Sequence, residues 1–286
     1  MSFVAFAWIA SILFGLVAII GKLTSKYAIQ NIWLFNFFWN LFSLCITALL
    51  ALLNHVGLPN TWENILFASF FYSLFGLLYI IGLSKLDISV FSPLFNFRTA
   101  FGVILGIAIL GEKLSFFQLG LVGIILIAGM FVSIEEKFTL KSFFTFGIGI
   151  AIASTFFYSI SNIFINKSLI NNGYWEVNLF VALFTQLFLL TTAPLFIKDL
   201  KKLTFNSVSS TFAMSLALAL GTIAANKAYA ENVSISTTIT ALPVSMIMAF
   251  LFSIFAPQLL EKHTLKVYAI RFTAAAVMII SALKLS

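Results

Sequence analysis

The sequence predicts an all-α integral membrane protein whose ten transmembrane helices form two inverted five-helix repeats. Apolar residues make up 62% of the 286 residues, and charged residues make up only 9%, against roughly 25% in a typical soluble domain. Long apolar runs follow one another between short polar breaks, and motifs of the first half recur in the same order in the second. A soluble chain of this size could not bury so much apolar surface.

Each long apolar run is interpreted as one helix. A bilayer core requires about 20 apolar residues per helix, and backbone that faces lipid must satisfy its hydrogen bonds internally. No segment alternates apolar and polar residues for long enough to suggest a membrane barrel. We therefore expect helices at 3–26, 32–53, 63–84, 88–110, 115–134, 145–169, 174–197, 208–230, 234–257 and 264–283.

Several helix boundaries have a local chemical signal. Ser115 and Gln118 have the spacing of a capping box, which predicts that the fifth helix begins there. Thr61 is the predicted N-cap of the third helix. Gly111 and Gly173 stand where helices are expected to end or begin.

Short motifs indicate an internal duplication. Residues 33–36 (WLFN) match residues 175–178 (WEVN), which lie 142 positions later. Residues 86–89 (LDIS) match residues 233–236 (VSIS), shifted by 147 positions. The matches keep their order along the chain, which is the signature of a repeat.

The fourth and ninth predicted helices continue this correspondence. Pro93 precedes Glu112 by 19 residues, and Pro243 precedes Glu261 by 18. We therefore divide the chain into repeats at 1–136 and 143–286. Each repeat holds five helices, and an odd number places the two halves in opposite orientations, as in many secondary transporters.

The same segments resemble a known family, the ten-helix EamA-type members of the drug/metabolite transporter superfamily. The resemblance rests on residues 79–83 (YIIGL), Pro93, residues 110–115 (LGEKLS) and the glycines of the fifth helix. The second half repeats it from Asn226 through Pro243 to residues 260–262 (LEK). It implies transport of a small metabolite, often export, without a cofactor. Asn40 stands where family members often carry an arginine, and Leu260 replaces the equivalent of Gly111, so no substrate is transferred from the family.

Polar residues inside the predicted spans are the candidate substrate-binding residues. Burial of polar groups in lipid costs free energy, so such residues usually face the interior of the bundle. The alternative is that the amides join helices by structural hydrogen bonds. The candidates are Asn36, Asn40, Asn96, Arg98, Tyr158, Asn162, Asn166, Asn178, Asn226 and Tyr229.

Two prolines are predicted to kink or break helices. Pro93 and Pro243 each remove a backbone donor from a predicted span. A broken helix frees carbonyl groups that can coordinate a substrate. A kink that serves only helix packing is the alternative.

The charges inside the spans restrict the cargo. No aspartate or glutamate lies near the middle of a predicted span, whereas Arg98 does. An exporter of cations would be expected to carry a buried carboxylate. The sequence therefore favours a neutral, zwitterionic or anionic metabolite, such as an amino acid.

An enzyme is a weaker interpretation. The histidines, His55 and His263, fall in predicted loops, and Cys45 is the single cysteine. Neither a carboxylate pair nor a metal-ligand spacing is visible. We expect no catalytic residue, no metal site and no cofactor. A membrane-embedded partner or assembly subunit is the other alternative, and it would need no polar cavity.

The basic residues indicate a lipid environment. The net charge is +7, but the basic residues are scattered singly, which favours anionic lipid as the partner and not nucleic acid. We expect a multi-pass protein of the plasma (inner) membrane that binds a small molecule; a homodimer is compatible with this. Lysines are more numerous in loops after odd-numbered helices, which favours external termini, whereas the family resemblance implies cytoplasmic termini, so the orientation stays open.

Overall fold

The computed structural model describes residues 2–86, 94–132, 146–242, 244, 247–248, 251 and 265–284, and these residues form helices joined by short turns. The first half contains α1 (Phe3–Tyr27), α2 (Ile32–Leu53), α3 (Glu63–Lys85), α4 (Phe97–Leu110) and α5 (Phe116–Val132). The second half contains α6 (Phe146–Asn171), α7 (Tyr174–Leu190), α8 (Phe205–Tyr229), α9 (Val233–Thr240) and α10 (Leu265–Leu283). Two short 3-10 helices, Ala193–Leu195 and Ile197–Lys202, join α7 to α8.

The chain is a multi-pass membrane protein. Within the described residues, five helices are long and apolar enough to cross a bilayer, namely α1, α2, α3, α6 and α8. Shorter apolar helices lie at Phe97–Leu110, Phe116–Ala128, Tyr174–Leu190 and Phe272–Leu283. Most of the predicted ninth span lies outside the described residues, so the ten-span arrangement stays a prediction.

Three of the predicted boundary signals are confirmed, and one of them is Gly173, which is the N-cap of α7. Ser115 N donates to Gln118 Oε1 (3.0 Å), and Gln118 N donates to Ser115 Oγ (3.2 Å), which completes the capping box before α5. Gly111 ends α4 with a φ of 68°, a conformation that glycine adopts without steric cost.

The prediction that Thr61 caps α3 is wrong. Trp62 occupies the N-cap position and makes no side-chain capping bond. Thr61 Oγ1 instead accepts a hydrogen bond from Asn172 Nδ2 (3.1 Å), in the turn between α6 and α7. The Thr61 side chain therefore bonds to Asn172, which is distant in the sequence, and not to the N-terminus of α3.

The seventh helix is shorter than predicted. The apolar run continues to residue 197, but α7 ends at Leu190. Thr191 and Thr192 donate their hydroxyl groups back to the carbonyls of Phe188 and Leu189 (both 2.7 Å). A 3-10 helix begins at Ala193 with Pro194 as its second residue, and proline has no N–H with which to continue the α-helix.

Helix pairs in the two halves mirror one another. α1 packs along α8 and α3 packs along α6, while α4 contacts α6 and α9 contacts α1. α2 contacts α8 as α7 contacts α3. Three further pairs, α2 with α7, α4 with α9 and α5 with α10, each join equivalent helices. These pairs are compatible with a twofold relation between two five-helix units. That relation stays a prediction, because the boundaries 1–136 and 143–286 meet in residues outside the described ones.

Hydrogen bonds tie the halves together at both ends of the bundle. At one end, Asn31 Nδ2 donates to Asp199 Oδ2 (2.6 Å) and to the carbonyl of Leu195 (3.2 Å). Lys202 and Asn31 both stabilise the charged carboxylate, and so lower the pKa of Asp199 from its ordinary value. At the other end, Asn172 Oδ1 accepts from the backbone N–H of Thr61 (2.9 Å).

Candidate functional site

The predicted polar residues lie inside the bundle. Asn166 is half-buried, and the other nine candidates are buried. They come from α2, α6, α7 and α8, and from α4 and the turn before it, so both halves contribute. Pro93 and Pro243 lie outside the described residues, so their predicted kinks are not tested.

One group of candidates consists of paired amides. Asn40 Nδ2 donates to the backbone carbonyl of Asn36 (2.8 Å) and to its Oδ1 (3.2 Å). Asn226 Nδ2 donates to Asn178 Oδ1 (2.9 Å), which joins α8 to α7. Asn178 Nδ2 in turn donates to the carbonyl of Tyr174 (2.9 Å). These amides are therefore largely satisfied by the protein itself.

A small polar cavity separates the two amide pairs. Its volume is about 30 Å³, which is room for one water molecule. Residues of α2, α3, α6, α7 and α8 line it, so it lies between the halves. The lining residues are Asn40, Ser43, Thr47, Tyr72, Ile165, Asn178, Val181, Ala182, Thr185, Thr222 and Asn226.

Sequence reasoning missed the hydroxyl residues of this cavity. Ser43 and Thr47 follow Asn40 by three and seven positions, and Thr185 follows Asn178 by seven. That spacing places each set on one face of its helix. The shared face was the signal that could have found them, but serine and threonine are common in membrane helices as packing residues.

A second group is built around two tyrosines. Tyr158 of α6 packs its ring on Phe75 of α3, with centroids 4.5 Å apart. Its hydroxyl lies 3.5 Å from the Tyr229 hydroxyl, which lies 3.4 Å from Thr240 Oγ1. Both distances exceed the usual 2.7–2.8 Å between hydroxyl oxygens, so these groups hold one another only weakly.

Arg98 lies beside this tyrosine pair. Its side chain is 5% exposed, and its Cζ lies 5.2 Å from the centre of the Tyr158 ring and 5.9 Å from that of Phe14. Phe14 and Tyr158 are each about halfway along their helices, so the guanidinium lies near the middle of the bundle. Sequence analysis placed Arg98 inside a continuous span, whereas α4 begins only at Phe97, after a turn at residues 95 and 96.

Several buried polar atoms in this region have no hydrogen-bond partner among the described residues. Both amide atoms of Asn96 and of Asn162 are unpaired, as is the Nε of Arg98. A buried polar group without a partner costs about 1–3 kcal/mol. A solute or water that satisfied these atoms would recover that free energy, so the region can bind a polar molecule.

Asn166 does not join either group. Its Nδ2 donates to the backbone carbonyls of Tyr229 (2.7 Å) and Ala230 (3.4 Å) at the end of α8. It therefore satisfies carbonyls that the helix leaves free, which is the structural alternative raised for the amides. Its predicted role in substrate binding has no support in this geometry.

Comparison with known proteins gives a family and a fold. Residues 1–134 match the model of the EamA-like transporter family. A solved crystal structure of a protein has a TM-score of 0.77 over 99% of this chain and 99% of its own, at 13% sequence identity, which supports the fold alone. A search of the curated proteins found no match. The family points to a membrane transporter of the drug/metabolite type and away from an enzyme. Residues 1–134 thus match the EamA-like transporter family, which belongs to the drug/metabolite transporter superfamily.

Proposed function

We propose that the protein is a secondary transporter that moves a small neutral, zwitterionic or anionic metabolite, such as an amino acid, across the plasma membrane by alternating access. The observation that carries this proposal is the convergence of buried polar groups from both halves on the centre of an apolar bundle. Polar residues in membrane helices are costly, and they commonly line a substrate pathway.

The unpaired amides argue for a solute and against a purely structural role. Asn162 is 1% exposed, and neither of its amide atoms has a partner among the described residues. A buried amide without a partner would not stabilise an assembly subunit. Asn178 and Asn226, by contrast, form a hydrogen bond with each other. The contrast between paired and unpaired amides favours transport over the partner-subunit alternative.

The small central volume supports a mechanism in which the halves move. A cavity of about 30 Å³ is far below the roughly 300–1,000 Å³ of ordinary ligand pockets. A metabolite could therefore enter only if the surrounding helices separate. The matched helix pairs would allow this on either side in turn, because an inverted repeat gives both sides equivalent contacts.

Proteoliposomes test the proposal directly. The purified protein is reconstituted into vesicles loaded with amino acids, organic acids, sugars and nucleobases, and solute release is followed by mass spectrometry. We expect a restricted set of solutes to leave faster than from protein-free vesicles. Asn162→Ala should slow that release about tenfold, the effect of losing about 1.4 kcal/mol of buried hydrogen bonding.

Asn54→Ala is the matched control. Asn54 is an exposed asparagine at the end of α2 that bonds only to its own helix, through the carbonyl of Leu50. It should release solute at the wild-type rate. If no solute leaves faster than from protein-free vesicles, or if Asn162→Ala matches Asn54→Ala, the proposal is wrong and the partner-subunit alternative gains weight.

A further inference from the structure

We infer that Arg98 is the carboxylate-binding group of the transport site, and that the cargo is a small acid with a second polar group close to its carboxylate. This inference rests on the proposed function. It goes further in naming the one residue that selects for negative charge.

The charge balance around Arg98 motivates the assignment. Among the described residues, no carboxylate forms an ion pair with it, since the ion pair they contain joins Lys202 and Asp199. A guanidinium stays protonated in proteins, so Arg98 remains a positive charge. An unpaired positive charge in the middle of a membrane bundle is costly, and an anionic cargo would neutralise it.

The aromatic rings contact the guanidinium without forming hydrogen bonds to its N–H groups. Phe14 and Tyr158 lie within cation–π distance of its Cζ. Such contacts use the ring faces, and Nε has no hydrogen-bond partner among the described residues. Nε can therefore donate to a carboxylate, a group that arginine usually binds through two parallel N–H groups.

The neighbours of Arg98 specify the second polar group. Asn162 lies one turn beyond Tyr158 on α6, and its amide oxygen and nitrogen are both unpaired. The Tyr158 and Tyr229 hydroxyls have only the long contact with each other and the one to Thr240. An α-amino or α-hydroxy group beside the carboxylate could bond to such donors and acceptors.

A carboxylate fits this site better than a phosphate ester. One guanidinium balances one negative charge, and a phosphate monoester carries up to two at neutral pH. The other cations described on α1, α6 and α8 stand in or near the last turns of these helices; they are Lys22, Lys26, Lys167 and Lys227. A second negative charge beside Arg98 would therefore be left without a partner.

Thermal unfolding of the full-length protein in detergent tests the assignment, because a ligand that binds the folded state raises its apparent stability. The probes are L-lactate, L-alanine and L-phenylalanine, each compared with its amide, and inorganic phosphate. At least one acid should raise the unfolding midpoint, and its amide and phosphate should not. Arg98→Gln should abolish the shift, and Arg98→Lys should weaken binding at least about tenfold, because lysine lacks the planar fork.

Two controls separate ligand binding from a structural role. Lys167→Gln removes another cation near an aromatic ring, that of Phe164, and should keep the wild-type response. Without ligand, Arg98→Gln should unfold at or above the wild-type midpoint, because it removes an uncompensated buried charge. A purely structural arginine would instead lower the midpoint when replaced.

The outcomes distinguish this inference from the proposed function. Equal stabilisation by acid and amide, no response to any acid, or a retained response in Arg98→Gln overturns the role of Arg98. If amides stabilise the protein and also cross proteoliposomes, transport stands and the charge selectivity fails. If no solute crosses, the proposed function itself fails.

Discussion

At the residue scale, the buried amides divide into paired and unpaired groups. Asn178 and Asn226 lie 48 positions apart in sequence and share a 2.9 Å hydrogen bond. Asn96 and Asn162 have the same side chain and similar burial, yet neither amide has a hydrogen-bond partner among the described residues. Sequence identified all four as polar residues inside spans, but side-chain type alone does not reveal which amides meet.

The Asn178–Asn226 bond can be measured with a double-mutant cycle. Asn178→Ala and Asn226→Ala, alone and combined, should give a favourable coupling free energy of about 0.6 kcal/mol, and no more than about 1.7 kcal/mol. The coupling arises because each replacement leaves the other amide unpaired. The measurement is reversible unfolding in mixed detergent micelles, compared across the four proteins.

A second cycle serves as the reference. Asn54→Ala combined with Asn178→Ala should be additive within about 0.5 kcal/mol, because the two residues share no partner. Additivity of the Asn178 and Asn226 replacements would mean that their hydrogen bond does not contribute to stability.

At the element scale, α4 and α9 pack closely against each other across the two halves. Gly102 faces Thr237, and an added Cβ at Gly102 would lie 2.7 Å from Thr237 Cγ2. One turn along, the Cβ of an alanine at Gly106 would collide with Ser234 Oγ and Glu112 Oε2. The two glycines thus form a small-residue face that lets the helices pack closely.

Glu112 completes this contact. Its Oε1 accepts from the N–H of Val233 (2.6 Å), and its Oε2 accepts from the N–H of Ser234 (3.0 Å) and from the Ser234 hydroxyl. A carboxylate at a helix N-terminus is stabilised by the free N–H groups and by the helix dipole. Sequence placed Glu112 at a helix end, but its partner on α9 lies more than a hundred residues away.

Gly106→Ala tests whether the close contact stabilises the fold. We expect a loss of about 1–3 kcal/mol in the free energy of unfolding, the usual cost of overpacking. The measurement is the unfolding equilibrium of the purified variant in detergent. A stability equal to wild type would mean that α4 and α9 can separate slightly without cost.

Gly123→Ala in α5 is the matched control for that variant. An added Cβ at Gly123 meets no atom within 4 Å. The substitution should be neutral or stabilising, because alanine favours the helix over glycine by about 1 kcal/mol. A loss in both variants would indicate a general effect of the substitution on membrane helices.

At the scale of the whole molecule, contacts between the halves occur at both ends of the bundle. Asn31 joins the loop after α7 at one end, and Asn172 joins the loop before α3 at the other. Both sets of contacts join the halves in this structure. Alternating access would require the two sets of contacts to open in turn.

Cysteine labelling in intact cells tests the topology. In a Cys45→Ser background, single cysteines replace the exposed residues Lys113, Asn171 and Lys201. Positions 113 and 171 should be labelled from the same side, because two crossings, α5 and α6, separate them. Position 201 should be labelled from the opposite side, because only α7 intervenes.

The readout is reaction with a maleimide that does not cross membranes, before and after permeabilisation. Labelling of positions 113 and 171 from opposite sides would show that α5 or α6 does not cross the membrane. The side that reacts before permeabilisation would also settle the orientation that the lysine distribution and the family resemblance leave open.

The sequence by itself determined the membrane environment, the order of the helices, the EamA-like first half and the set of polar residues inside the spans. These follow from hydropathy, capping and motif spacing, which act over a few neighbouring residues. Prediction from the sequence was wrong at Thr61, whose side chain bonds to a residue distant in the chain and not to its own helix. It was also wrong after Leu190, where the apolar run continues beyond the end of the helix.

The tertiary structure alone decided which of those polar residues come together. The position of Arg98 against Phe14 and Tyr158 joins three helices that are far apart in the chain. The contact of Glu112 with the start of α9 likewise depends on how the halves pack. Such contacts are set by the packing of whole helices, because a side chain can bond only to the groups that packing brings within a few ångströms of it.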